Sequence, residues 1–460
     1  MNFKLLKTGK LLLVAALVIG MAACQNDTDE IADVEIKTAA DFNSDVALSW
    51  SNLMLEIDRY APGYRPPAAS RMMGYTGLAA YEAIIEGMPD NKSIADNYPG
   101  LQVPRVEEGL EYHWPTVLNA LYAYLYTNFY PHVTEYYKSR ITSLEQSFEN
   151  EFSDQVSEEV FERSRNHGRS VAAVFFAWSA TDQVGHLGYT NPRPASYIPP
   201  SGPGKWTPTR PDYTPALFPY WGQVRPFAIT PSDKLAKTPL AWSESVTSPF
   251  YGQALEVYTL TQPQDPERQW IAEFWSDDFF ELTFEPAGRW VAVANQVIDQ
   301  ENTNLAETVY VYAKLGMALC DVAIINWNSK FHYNLERPVH YINRVIDPSW
   351  NTTLDNPLNG LTSMTPEFPA YPSGHAGFGA AAAGVLSDIF DESYAMTDRC
   401  HEYRVEFNGT PRAFNSFDEM AYENALSRVY LGVHFRMDAD EGLRVGYLAA
   451  RRVNDLDWTK

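Results

Sequence analysis

The sequence is short of cysteine, of basic charge and of long apolar runs, and each shortage closes a class of function. Three cysteines in 460 residues, Cys24, Cys320 and Cys400, are too scattered for a zinc or iron–sulfur site or a redox pair. Cys320 and Cys400 could pair in an oxidising compartment, but nothing in the spacing requires it. A net charge of −23 leaves no basic face for nucleic acid. It does not exclude anionic small molecules, because a few cations focused in a pocket can outweigh a distant negative surface. Beyond residue 23 no stretch approaches about 18 uninterrupted apolar residues, so no membrane crossing is expected of the mature chain. No repeat of fixed period and no low-complexity block occurs, which argues against a solenoid. Strand-like alternation is scarce as well.

What is present begins with a processing signal. Lys4, Lys7 and Lys10 precede an apolar run from Leu11 to Ala23, the length of a secretory segment. The run ends Met-Ala-Ala-Cys at residues 21 to 24, which resembles the lipobox of bacterial lipoproteins. The expectation is a signal peptide over 1–23, lipidation at Cys24, and an acidic tether over 24–45. Membrane contact is then made through the lipid alone, at a bacterial outer membrane, on its periplasmic or its surface face. The remainder reads as helix: an N-terminal part over 46–300 and a C-terminal part over 301–460. Between residues 190 and 231 prolines recur every few residues among Trp206, Tyr213, Phe218, Trp221 and Phe227. So dense a run is neither helix nor central strand, and so aromatic a run is no free linker. It predicts an ordered loop wrapped over an all-α body, a possible pocket wall.

Three stretches carry chemistry. Ser427 to Asp438 reads Ser-Arg-Val-Tyr-Leu-Gly-Val-His-Phe-Arg-Met-Asp. His434 and Asp438, four apart, share a face on a helix, where the carboxylate can fix the imidazole tautomer. Arg428 and His434 converge only if the chain bends, which costs least at Gly432. Lys330-Phe-His-Tyr-Asn-Leu-Glu-Arg337-Pro338 places two cations seven apart, on one face if the helix runs through to Pro338. Phe368-Pro-Ala-Tyr-Pro-Ser-Gly-His375 leads into the small residues 376–384; Ser373 is a natural N-cap. The amides at such a helix start bind oxyanions, and Gly374 lets that backbone approach closely. His375 can reach the same anion as acid or base. Each stretch alone also suits a surface helix or a capped one.

In order and together, Lys-x6-Arg-Pro, Pro-Ser-Gly-His and Ser-Arg-x5-His-x3-Asp are far more specific. They resemble the vanadium-dependent haloperoxidases and the acid phosphatases that share their site, with wording closer to the haloperoxidase branch. The resemblance implies a large helical-bundle fold. It implies one vanadate per chain, its oxygens held by Lys330, Arg337, Ser373, Gly374 and Arg428, with His434 as the metal ligand. His375 would act as acid–base, Lys330 would polarise bound peroxide, and Asp438 would orient His434. Trp327 and Phe368 match positions on the halide side, and Asp278 matches a carboxylate expected to pair with Arg428. The related bacterial pattern has Asp where this chain has Asn328, which leaves halide preference open.

The implied reaction is oxidation of iodide or bromide by hydrogen peroxide to hypohalous acid, which then reaches small organic acceptors. A phosphatase on the same site would instead use His434 as nucleophile, through a phosphohistidine. An acidic, aromatic-rich surface lipoprotein could also be a non-catalytic glycan-binding protein. Such a protein has no reason to gather Lys330, Arg337, His375, Arg428 and His434 around one void.

Overall fold

In the computed structural model, residues 36–262 and 265–460 are described; the signal sequence, Cys24 and most of the tether lie outside them. Residues Lys37–Lys460 form one compact unit. Of the residues expected in the tether, 24–45, those from 37 on are packed. The Lys37 carbonyl accepts the Trp114 indole N–H at 3.0 Å, and Phe42 accepts the Leu305 amide at 2.9 Å, so the chain is packed from residue 37 onward.

The unit is helical, as the 3.6-residue periodicity predicts, with one small exception: Met396–Asp398 pairs antiparallel with Arg412–Phe414. The centre is the helix Leu305–Tyr333. Asn304 caps its start, accepting from the Glu307 amide while Glu307 reaches back to the Asn304 amide. By length and composition this helix could span a membrane, but 94 % of its most apolar window is buried inside the protein. It is a core helix.

Helices Pro66–Ala83, Pro286–Glu301, Gly374–Phe390, Phe417–Tyr430 and Arg436–Asn454 surround it. Asp45–Asp58, Trp114–Phe129, Glu135–Ser153 and Glu158–Ala180 complete the N-terminal side. Two of the inner helices approach unusually closely. A Cβ on Gly442 would lie 2.6 Å from the Ser373 carbonyl, and one on Gly446 would lie 2.4 Å from that of Gly377. Glycine is therefore required on Arg436–Asn454 for that helix to lie against the start of Gly374–Phe390.

The proline-aromatic segment is an ordered loop. Trp206 and Trp221 are fully buried. Its backbone is stitched to the body by Trp206 N–H to Asn334 C=O at 2.8 Å and Leu217 N–H to Glu367 C=O at 3.0 Å. The carboxylate of Asp321, on the central helix, accepts the amides of Phe227, Ala228 and Ile229 at 2.7–2.9 Å. Both Cys320 and Cys400 are free.

Candidate oxyanion site

Four local turns bring the three stretches together. The central helix ends at Tyr333 and Asn334 takes a left-handed conformation (φ 50°), its N–H closing on the Lys330 carbonyl. Lys330 and Arg337 therefore do not share a helix face, as an uninterrupted helix would require. Lys330 sits in the last turn, and Arg337 lies beyond the turn as the cap of the next helix, Pro338–Val345. Ser373 caps Gly374–Phe390 as expected, accepting the Ala376 amide at 3.4 Å. The bend between Arg428 and His434 falls at Gly432 (φ 77°). His434 precedes its helix and Asp438 sits in that helix's first turn. Their contact thus crosses a helix start: Asp438 Oδ2 takes His434 Nδ1 and the Phe435 amide, both at 3.0 Å.

These turns converge on a cavity of about 100 Å³. Gly374, His375, Arg428, His434, Trp327 and Phe368 are on its wall, along with Asp278 and, from the proline-aromatic loop, Leu217. Arg337 lies directly behind, with Nη1 3.1 Å from His434 Nε2 and 2.7 Å from the Val433 carbonyl. Lys330 lies behind Phe368. Its ammonium donates to the carbonyls of Pro369 and Ala370 at 3.0 Å and to that of Pro372. Its contribution in this state is charge at the back of the cup rather than a free N–H. The Phe368 ring stands 5.0 Å from both Lys330 Nζ and the Arg337 guanidinium, and 5.1 Å from the Trp327 ring.

The electrostatics are those of a site built around an anion. Lys330 and Arg337 are 0 % exposed, and Arg428 and His434 are 2 % exposed. Burial and mutual repulsion drag Arg337 down to about 9, and burial takes Arg428 to about 10. Burial, then Arg337, holds Lys330 well below the ordinary amine range, against the pull of Asp438. Burial and the cup cations push both His375 and His434 well below the usual imidazole range, so both are neutral. Buried, poorly compensated cations cost several kcal/mol each, a cost that an anion among them offsets.

The unpartnered polar atoms around the cup agree. Arg337 Nη2 and Arg428 Nε are buried donors with no hydrogen-bond partner, and His375 Nε2 is a buried acceptor with none, the pattern of a site that takes a polar guest. Among the described residues no group of three or more His, Cys, Asp or Glu could hold a metal cation. The cup instead offers cations, the Gly374 amide and the imidazoles of His375 and His434. That set fits a small oxyanion.

Two expectations need correction. Asp278 pairs with Arg65 rather than Arg428. Its backbone is left-handed (φ 84°), and its own carbonyl accepts Arg65 Nη2 at 2.6 Å, which fixes it at the cavity wall. The acid that acts most strongly on Arg428 is the preceding one, Asp277, with Asp278 second. Asp277 is fully buried, pushed up to about 7 by that burial, and 3.6 Å from Arg289. Asn328 faces away from the cavity, donating to the Lys234 carbonyl at 2.8 Å against Gly222. Its difference from the related pattern therefore bears on how the loop is anchored. Arg65, Asp277 and Leu217 were not anticipated in these places. Only the adjacent Asp-Asp pair and an Arg ahead of Pro66-Pro67 hinted at the first two.

Fold and site define a class: an all-α bundle holding a buried cationic cup faced by two neutral imidazoles. Comparison with known proteins gives the same answer. Residues 310–456 match the family model described as the VCPO second helical-bundle domain. The vanadium chloroperoxidase of Curvularia inaequalis is 29 % identical over 30 % of this chain and 29 % of that protein. The chain thus spans under a third of that relative's length in the match. A crystal structure of a bacterial vanadium-dependent iodoperoxidase superposes with a TM-score of 0.79 at 26 % identity, covering 91 % of this chain and 98 % of that one. A holo bacterial vanadium-dependent chloroperoxidase has the same fold, at TM-score 0.62 and 15 % identity over 85 % and 91 % of the two chains. This chain is a homologue of the vanadium haloperoxidases.

Proposed function

We propose that the protein is a vanadate-dependent haloperoxidase that oxidises iodide, and bromide less readily, with hydrogen peroxide. The net reaction consumes a proton: halide, H2O2 and H+ give hypohalous acid and water. One observation carries the reading. Arg428, His375 and His434 line one cavity with Arg337 and Lys330 directly behind it, and Arg337 Nη2, Arg428 Nε and His375 Nε2 are buried without a partner. Bound vanadate would supply a Lewis acid that activates peroxide towards halide without changing its own oxidation state.

The residues have distinct tasks. Arg337, Arg428, the Ser373 hydroxyl and the Gly374 amide would hold vanadate oxygens, with the Lys330 charge behind them; the Ser373 amide itself is given to the Asp438 carbonyl at 2.8 Å. Asp438 accepts the Nδ1 proton of His434, which leaves the lone pair on Nε2, the atom facing the cup. Arg337 therefore trades its bond to Nε2 for an oxyanion when the site fills. His375 is neutral and has a free, buried Nε2, so it can take a proton from an incoming peroxide and return it to the departing oxygen. A backbone hydrogen bond with Asp277 orients its ring. Trp327, Phe368 and Leu217 give the halide an apolar wall. Iodide is favoured because it is the easiest of these halides to oxidise. The likeness to the iodoperoxidase, at 26 % identity over nearly the whole chain, supports that order.

The test is halide oxidation by purified protein, with and without vanadate, beside hydrolysis of p-nitrophenyl phosphate. Vanadate-dependent triiodide formation is expected. Halide-independent hydrolysis without peroxidase activity would overturn the reading. Export and lipidation at Cys24 are part of the same proposal, supported by the Leu11–Ala23 run and the Met-Ala-Ala-Cys ending. Loss of labelled fatty acid from a Cys24→Ala variant checks it.

A further inference from the structure

A haloperoxidase releases an oxidant into its own cavity, so the wall of that cavity decides what the oxidant meets first. Cys320 and Cys400 are not on the wall, and neither is any tyrosine. One methionine is. Met364 is half-buried there, its amide donating to the Leu354 carbonyl at 2.8 Å and its carbonyl accepting Thr352 Oγ1 at 2.7 Å. Apart from the half-buried Met437, which is not on the wall, every other described methionine is at most 6 % exposed. Trp327 shares the wall but is 1 % exposed and has its N–H committed to Leu217. The thioether of Met364 is the accessible soft nucleophile.

We propose that Met364 is a self-modification site, converted to the sulfoxide by hypohalous acid formed in the adjacent cup. This rests on the haloperoxidase reading above. The thioether sulfur donates a lone pair to the oxygen of HOX, and the O–X bond breaks. Halide leaves with the bonding pair and the hydroxyl proton goes to solvent. Sulfur is oxidised by two electrons, and halogen is reduced from +1 to −1. The halide is thereby recycled while the oxidant is spent on the protein.

The position gives the modification a consequence. Met364 packs on the cluster formed by Phe279, Leu354, Leu431 and Val433. Val433 immediately precedes His434, and its carbonyl holds Arg337 Nη1 at 2.7 Å. A polar sulfoxide in that apolar cluster loosens the segment that presents the ligating imidazole. Inactivation should then track the number of turnovers rather than exposure to peroxide.

The experiment uses the full chain loaded with vanadate. One sample turns over iodide and H2O2 while triiodide is recorded. A second receives H2O2 alone, and a third receives dilute hypoiodite from outside. Each is digested and the mass gain of one oxygen is read at Met364 and Met437. The expected result is a Met364:Met437 oxidation ratio severalfold higher during turnover than with external hypoiodite, with little oxidation by peroxide alone. A Met364→Leu variant should sustain severalfold more turnovers before losing half its rate. Halide oxidation with the same ratio in turnover and reagent samples would sink this proposal and leave the function intact. Absence of triiodide would sink both.

Discussion

Replacing Gly374 by alanine separates the stability of the fold from the stability lent by a guest. A Cβ at this position meets nothing nearer than the Trp327 ring, at 3.6 and 3.8 Å, which is ordinary contact. The methyl therefore costs the protein no clash. Alanine in a helical first turn is neutral or stabilising by up to roughly 1 kcal/mol. Gly374 is on the cavity wall, however, so the added methyl stands where an oxyanion would approach the Gly374 amide. At a vanadate concentration a hundred times Kd, binding stabilises the wild type by about 2.7 kcal/mol. Unfolding Lys37–Lys460 carries an entropy of roughly 0.9 kcal/mol per kelvin, at about 2.1 cal/mol/K per residue. The wild type should then gain about 3 °C in Tm. If Gly374→Ala weakens binding about a hundredfold, the same vanadate leaves about 0.4 kcal/mol, a shift below about 1 °C. Scanning calorimetry with and without vanadate, with sulfate at matched ionic strength as control, reads both quantities. A variant that keeps the full shift would refute the cup geometry. One that loses several degrees without ligand would refute the packing argument.

Other perturbations follow from the same contacts. Asp438→Asn removes the acceptor that fixes the His434 tautomer, and should weaken vanadate binding by about 10- to 100-fold in equilibrium dialysis. Asn334→Ala and Asn334→Gly both lose the bonds of its side chain to Tyr197 OH and the Phe331 carbonyl, but Ala adds a Cβ at φ 50°, so it should be less stable than Gly by about 1–2 kcal/mol in urea unfolding. Burial lowers His113 to about 4 from 6.5, so between these values the unfolded chain binds the extra proton. Its stabilising contribution is whole above pH 6.5 and falls by about 3 kcal/mol as pH drops to 4. His113→Gln should flatten the acid limb of the Tm–pH curve by that much. A superposable limb would show that this ring does not stay neutral.

The parts of the site that were legible in the sequence are those set by local rules. Ser373 as a cap and the bend at Gly432 each follow from one or two residues and their backbone preferences. The parts that were not legible depend on where a short turn aims the next side chain. Asn334 fits a helix interior poorly, yet nothing in Lys330–Pro338 says that it stops the helix at Tyr333 rather than at Arg337. The two cations then meet by folding back instead of by helical period. Asp278 failed for the same reason. Spacing could not distinguish it from Asp277, and a left-handed backbone at one residue sends the two carboxylates to different arginines. The small strand pair at Met396–Asp398 carries too few residues for alternation to register.

A buried cluster of cations stabilises any tetrahedral or five-coordinate oxyanion, so charge alone does not choose between phosphate and vanadate chemistry. The wall beside the cup bears on the choice. Leu217, Trp327 and Phe368 are on it, all three buried. Iodide, large and weakly hydrated, gives up little on meeting an apolar wall, whereas a phosphate ester must also place its leaving group there. Purified protein given iodide with peroxide, and separately p-nitrophenyl phosphate, reads the choice directly: hydrolysis without halide oxidation would show that the wall does not exclude the ester.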